Sequence, residues 1–321
     1  MNNKSKKMLC SSLIVFCPMM AEAAEVTLKA VSAFGQDTYF NQRFAQFVEK
    51  VNAEGKGVLQ INVVGGPEAI PPFEIGNAVR SGIVDIANTT GVFHANMVPE
   101  TLAMTLTNKS MDELRSNGGY DLMDKLHRDK ANMVWLARLS DGIQYHVYTN
   151  KEVDSTDFSG LKLRSVPVYR PFFQSLNATP LQVPPGEVFT ALERGVVDGY
   201  GWPATGIFDL GWQEKTAYRV EPGFYNVEIS LFMNQKTWSK LDDNQREFLD
   251  KQVAWVESLN AQAAQDAEGE KLKQTEAGIQ SIELTPEEGA RFQQLSRQSG
   301  WQALEQISPD QVSALKAHFG S

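Results

Sequence analysis

Apolar residues along this chain follow two periods, and the switches between them outline alternating strands and helices. Val26 to Phe34 (VTLKAVSAF) reads as a strand, and Asp37 to Asn52 places Phe40, Phe44, Phe47 and Val51 at helical spacing. Leu59 to Val64 alternates and stops at Gly65-Gly66-Pro67, a strand closed by a loop. A helix over Glu74 to Ser81 and a strand over Val84 to Ala87 lead into Asn88-Thr89-Thr90-Gly91. Small polar residues at the carboxyl end of a strand fit the rim of a ligand crevice in an open α/β sheet. Met111 to Lys130 predicts a helix bent near Gly118-Gly119, and Met133 to Leu139 and Gln144 to Tyr148 predict strands joined around Asp141-Gly142.

Leu161 to Pro203 then reads strand, helix, strand, helix, strand, with a lone cation, Arg164, in its opening apolar run. This segment has an earlier counterpart. Pro71-Pro72-Phe73-Glu74 and Gly82-Ile83-Val84-Asp85 return as Pro184-Pro185-Gly186-Glu187 and Gly195-Val196-Val197-Asp198, each displaced by 113 residues. Two similar α/β units in one chain predict two lobes facing one cleft. Ala204 to Ala217 is expected to continue as an aromatic-rich helix, and Tyr225 to Met233 as a strand returning to the first lobe. Asp242 to Ala277 predicts one helix of about 54 Å at 1.5 Å per residue, capped by Asp242 with Gln245 and ended by Gly278. A helix of that length would brace both lobes, with Gly269 as the expected kink. Ile279 to Leu284 follows as a strand, and capped helices are expected at Thr285-Pro286 and Ser308-Pro309.

Composition narrows the setting. Lys4, Lys6 and Lys7, the apolar run Met8 to Met20 and Ala21-Glu22-Ala23 form the three regions of a cleaved export signal. The apolar run is shorter than the roughly 20 residues a membrane span needs. Both cysteines, Cys10 and Cys17, fall in this leader, so the mature chain is expected without disulfides or thiolate chemistry. Neither follows a small residue, which argues against a lipid anchor. Removing residues 1–23 takes away three lysines and one glutamate and leaves a net charge of −11 over 298 residues. Such a surface repels nucleic acid and anionic membrane, so an anionic ligand would need a local cation such as Arg164.

The export signal, the paired α/β units, GLKLR at Gly160 to Arg164, ATPLQVPPGEVFTALERGVVDG at Ala178 to Gly199 and the long late helix together resemble the extracytoplasmic solute-binding proteins of TRAP transporters. The resemblance implies an α/β periplasmic binding protein fold of two lobes, with a ligand cleft, hinge crossovers and a lobe-bridging helix. The expected division is residues 1–23 as leader, 24–150 as first lobe, 151–224 as second lobe, and 225–321 returning to the first. It also implies that Arg164 pairs with a ligand carboxylate, for which a planar, permanently charged guanidinium is suited. Where many relatives carry a sequence like QENP or AENN, this chain has Tyr200-Gly201-Trp202-Pro203, so Trp202 stands in the place of an asparagine that contacts ligand. An arginine found before a Thr-Asn pair in some relatives is replaced by the Gln144-Tyr145-His146 region, which weakens the expectation of a second carboxylate clamp.

The expected ligand site is therefore Arg164 and Trp202, with Asn88, Thr89, Tyr169, Phe34, Tyr39, Phe93, Trp212 and Tyr225 around them. The expected ligand is a small monocarboxylate with an apolar, aromatic or keto-bearing body. By resemblance the partners are the small and large membrane subunits of a permease driven by an ion gradient. The chain itself is expected in the periplasm, not membrane-inserted, as a monomer, with the long helix as the alternative dimer contact. Neither a cofactor nor a metal is expected. The four histidines show no HExxH spacing, and no G-x-S-x-G, P-loop or GxGxxG occurs. A sensing module for a receptor and a secreted hydrolase are the alternatives, separated by a neighbouring permease gene and by turnover of bound ligand.

Overall fold

A computed structural model describes residues 25–320. The expected leader and both cysteines lie outside these residues. The first strand, β1 (Val26–Ser32), feeds α1 (Tyr39–Glu54), whose Phe40, Phe44, Phe47 and Val51 are buried as their spacing predicts. β2 (Leu59–Gly65), α2 (Ile75–Ser81) and β3 (Ile86–Thr89) complete the first unit. α3 (Leu102–Leu106) precedes α4 (Met111–Asn117) and α5 (Gly119–Ala131), which are divided at left-handed Gly118. β4 (Met133–Arg138) and β5 (Gln144–Thr149) are joined through Asp141 and Gly142, the latter at φ 74°.

The second unit runs β6 (Lys162–Ser165), α6 (Arg170–Ser175), β7 (Thr179–Gln182), α7 (Val188–Glu193) and β8 (Gly199–Pro203). The two sequence-matched segments fold alike in detail. Each Pro-Pro pair opens a short 3-10 turn into a helix, and each helix ends at a left-handed glycine, Gly82 at φ 77° and Gly195 at φ 66°. Asp85 Oδ2 accepts the Lys29 N–H at 2.8 Å, and Asp198 Oδ2 accepts the Lys162 N–H at 2.9 Å. A carboxylate that satisfies an amide of the neighbouring strand explains why aspartate ends both units.

Past β8 the chain departs from its pattern. The expected helix over 204–217 is absent: the segment is a loop with one 3-10 turn at Trp212–Lys215. Gly206 at φ 88° and Gly211 at φ 69° turn the backbone left-handed twice, which no helix accommodates. β9 (Tyr218–Glu221) follows, then a cis Glu221–Pro222 bond. The expected strand over 225–233 is two strands, β10 (Phe224–Asn226) and β11 (Ser230–Asn234), which belong to different sheets.

After α8 (Gln235–Lys240), the long helix is α9 (Asp243–Ser258) and α10 (Ala263–Glu276), broken by a 3-10 turn at Leu259–Gln262 rather than kinked at Gly269. The Asp242 capping box with Gln245 is present. β12 (Gln280–Glu283), α11 (Pro286–Ile307) and α12 (Pro309–Phe319) close the chain. Thr285 caps α11 through the Glu288 N–H, whereas the Ser308 hydroxyl turns to Glu100 and makes no cap.

Two sheets organise these elements. One has the order β2-β1-β3-β11-β4; the other has β12-β9-β5-β8-β6-β7, with β10 on β5. The sheet changes between Arg138 and Gln144, a few residues before the expected lobe division at 150. β10 and β12, from the expected return segment, pair in the second sheet. The broken helix does span both: Asn260 donates to the Arg138 carbonyl at 2.8 Å, and Gln274 donates to the Ala204 carbonyl at 2.7 Å. Among the described residues no helix is long and apolar enough to cross a membrane.

Candidate functional site

The carboxyl ends of β1, β3, β6 and β8 converge where the two sheets face one another. Arg164 on β6 pairs in register with Tyr200 on β8 and is 1 % exposed. Its Nε donates to the Val183 carbonyl at 2.9 Å, and one terminal nitrogen, Nη1, donates to the Tyr169 hydroxyl at 2.9 Å and the Gly201 carbonyl at 3.3 Å. Tyr169 in turn donates to the Gly201 carbonyl at 3.0 Å. These bonds fix the guanidinium plane through Nε and Nη1. The other terminal nitrogen, Nη2, is buried without an acceptor, and Arg164 enters no ion pair among the described residues.

Gly201 makes that arrangement fit. A Cβ there would stand 2.9 Å from ring atoms of both Tyr169 and Phe173, so this strand position admits only glycine without displacing the ring that orients Arg164. Beside it, Trp202 lies 5.4 Å from the Arg164 guanidinium carbon, packs on Trp212 at 4.6 Å, and keeps its indole N–H buried without an acceptor. Trp212 is thus a support behind Trp202.

The facing side comes from the first sheet. Asn88 donates through Nδ2 to the Ser32 hydroxyl at 3.1 Å and the Phe40 carbonyl at 3.0 Å, leaving Oδ1 buried and unpartnered; the Thr89 hydroxyl is buried likewise. Between the two sides lies a cavity of about 560 Å³ lined by Phe34, Phe40, Pro71, Pro72, Pro184, Pro185 and Trp202. The repeated Pro-Pro pairs, one from each unit, therefore meet at one mouth. Phe34 packs 5.4 Å from Phe40 and 6.2 Å from Phe93, so Phe93 lies one ring behind the wall.

Tyr39 stands at the rim, its amide donating to Asp209 Oδ2 at 2.7 Å and its hydroxyl to Asp266 at 3.2 Å. Burial and the Asp266 charge hold that phenol well above its usual range. Tyr225 lies elsewhere: its hydroxyl donates to the Ser296 carbonyl at 3.0 Å against α11, within a cluster of Phe172 and Phe224. Its strand position resembles that of a cleft residue, but β10 turns it toward the core.

Three residues outside the expected ligand set lie around this junction. Tyr145 on β5 packs 5.5 Å from Tyr169, and burial pushes its phenol up, with Tyr169 and Glu228 adding to the rise and Arg164 opposing it. Glu228, between β10 and β11, is wholly buried and accepts the Gly91 N–H at 2.7 Å and the Thr90 hydroxyl at 2.9 Å on Oε2. Burial raises its carboxyl above the usual range, against donors from Ser230, Thr90 and Gly91. Asp209 bridges to α1 from the loop after β8. The Gln144 side chain lines a separate polar pocket with Arg138 and Asn226. His146 bonds the Val220 carbonyl, and burial holds it down at about 3.

Residues 31–306 match the family described as DctP, bacterial extracellular solute-binding protein, family 7. The C4-dicarboxylate-binding periplasmic protein DctP of Rhodobacter capsulatus is 25 % identical over 317 residues, covering 95 % of this chain and 94 % of that protein. A TRAP periplasmic solute-binding protein of Roseobacter denitrificans with bound L-galactonate superposes with TM-score 0.79 at 22 % identity, covering 91 % of this chain and 99 % of that one. An extracytoplasmic solute receptor of Bordetella pertussis that binds pyroglutamic acid gives TM-score 0.81 at 17 % identity, over 92 % and 100 %.

Proposed function

This chain belongs to the bacterial extracellular solute-binding proteins of family 7, and from that premise we propose that it captures a small organic acid between its lobes and delivers it to a TRAP-type permease. The family comprises periplasmic receptors of transporters, not enzymes. Its members' partners are a small-molecule ligand and membrane permease components. The single observation that carries the acid reading is Arg164, a buried guanidinium whose Nε and Nη1 are bonded and whose Nη2 is free. Burying a charge without a counter-charge costs several kcal/mol. A ligand carboxylate would relieve that cost through a charge-assisted bond to Nη2.

The body of the ligand then meets Phe34, Phe40 and Trp202, which favours a monocarboxylate with an apolar or aromatic body. Asn88 and Thr89 would complete the site from the first lobe. Tyr169 acts by holding Arg164, Trp212 by supporting Trp202, and Phe93 by supporting Phe34, while Tyr39 closes the rim. The relatives bind a C4-dicarboxylate, L-galactonate and pyroglutamic acid; all three are acids, which supports the class and leaves the member open. The lobes would divide at the Arg138 to Gln144 step and at the β10 to β11 step, and closure is driven by contacts that the ligand makes with both lobes only when shut.

The test is a thermal-shift and calorimetric screen of residues 24–321 against monocarboxylates, dicarboxylates, sugar acids and aromatic acids, with Arg164→Met alongside. A ligand at 100 times its dissociation constant adds about 2.7 kcal/mol to stability. A rise confined to acids and lost in Arg164→Met is the expected result. A rise unchanged in the variant would overturn the guanidinium site.

A further inference from the structure

The cleft cavity is lined by charge of one sign. Its charged residues are Asp37, Glu187 and Asp209, with no lysine, arginine or histidine among the described residues that line it. Asp37 follows β1 of the first sheet, and Glu187 and Asp209 follow β7 and β8 of the second, so the acids come from both sides. All three are exposed, and none enters an ion pair among the described residues. Trp202 joins this cavity to Arg164: it is a lining residue, and its ring lies 5.4 Å from the guanidinium carbon. Gly206 lines the cavity as well. A Cβ there would stand 3.6 Å from the unpartnered indole nitrogen of Trp202, 3.6 Å from Asp209 Oδ2 and 3.3 Å from the Phe40 ring. A buried donor without an acceptor and a carboxylate oxygen therefore border one space beside Gly206.

We infer that Asp37, Glu187 and Asp209 select the ligand by charge: they bar a second carboxylate from the cleft and admit acids whose far end is neutral and polar, an amide or a hydroxyl. This deepens the acid-receptor reading and rests on it. With one carboxylate on Nη2 of Arg164, the body of the acid runs over Trp202 and its far end comes out among the three acids. A carboxylate there adds a fourth negative charge to a mouth with no cation of its own, and gives up part of its hydration. An amide or hydroxyl accepts from the Trp202 N–H and donates to Asp209 Oδ2, whereas a carboxylate can make only the first of these bonds. The lining thus combines attraction for the right end group with repulsion of the wrong one.

Calorimetry on isosteric pairs separates charge from shape: succinate and succinamate, glutarate and glutaramate, terephthalate and 4-carbamoylbenzoate. Each pair sets one carboxylate against one primary amide. In the native protein the half-amide of a binding pair is expected to bind on the order of tenfold tighter at low salt, since each exposed charge a few ångströms away changes an affinity about twofold to threefold. The gap is expected to shrink at high salt. Asp37→Asn combined with Glu187→Gln removes two of the three charges and leaves Asp209 to hold the start of α1. This double variant is expected to fold, as its melting curve checks, and to bring the two members within about threefold. Equal or tighter binding of the dicarboxylate to the native protein overturns the inference, as does a gap unchanged in the folded double variant. Failure of every pair while propanoate or benzoate binds also overturns it, because shape rather than charge then bars the far group. Arg164→Met is expected to lose both members of a pair alike, so a failure of the carboxylate site differs visibly from a failure of selection. Binding of no acid by the native protein overturns both.

Discussion

The bond between Asp209 and helix α1 offers a direct test of how the lobes close. Thr38, the residue before the helix, turns its hydroxyl back to the Gly35 carbonyl at 2.7 Å and so provides no cap. The first turn of α1 contains no acidic residue of its own. Asp209, from the loop after β8, supplies both the missing acceptor and the missing negative charge, at 2.7 Å from the Tyr39 amide. A cap or a charge at a helix N-terminus contributes about 1 kcal/mol, and solvent exposure of Asp209 argues for no more. Because α1 packs on the first sheet and Asp209 follows a strand of the second, the bond exists only while the lobes are together.

Its loss in Asp209→Ala is therefore charged to the closed state alone. An acid found in the screen should bind about fivefold more weakly, with the change in its dissociation rate rather than its association rate. Asp209→Asn, which keeps an acceptor without the charge, should lose about half of that free energy, and the native advantage should shrink in high salt. Calorimetry gives the affinity and stopped-flow fluorescence of Trp202 and Trp212 gives the rates. An unchanged affinity, together with an equal drop in melting temperature with and without ligand, would show that the bond persists when the lobes open and would refute the reasoning.

Arg164→Met should abolish acid binding while leaving the unliganded protein as stable as the native one or more so, since replacing a buried unpaired charge by an apolar side chain removes a desolvation cost; denaturant midpoints without ligand check this. Gly201→Ala should cost about 1–3 kcal/mol from overpacking against Tyr169 and Phe173 and weaken acid binding by displacing Tyr169 from Arg164, both readable in a chemical melt with and without ligand. Burial holds His127 down at about 4 and His146 at about 3, so the unfolded chain binds more protons than the folded one below the ordinary histidine range. Stability should then fall as pH drops, by about 1.4 kcal/mol per unit for each histidine between roughly pH 6.5 and those values. Melts across this range should show it, and a flat profile would mean that these rings are already charged in the fold.

Much of this molecule is written in local sequence. Helix and strand periods located both α/β units, the Pro-Pro and Gly-x-Val-Asp matches announced the duplication, and Asp242 with Gln245 marked a cap that is present. Arg164 could be singled out because one cation in an otherwise apolar strand is anomalous by pattern alone. What the sequence could not decide depends on partners far along the chain. The 204–217 segment carries apolar and aromatic residues as a helix would, yet it is a loop, because Phe208, Leu210 and Trp212 pack around the cleft and two left-handed glycines turn the backbone. Val227 to Ile229 shows no break in pattern, and only pairing with β5 on one side and β3 on the other divides its strand between sheets. Tyr225 loses its expected place at the cleft for the same reason. A side chain's period tells which face it takes, but whether that face meets core, cleft or an unpaired partner is set by elements dozens of residues away, and only the packed structure brings those together.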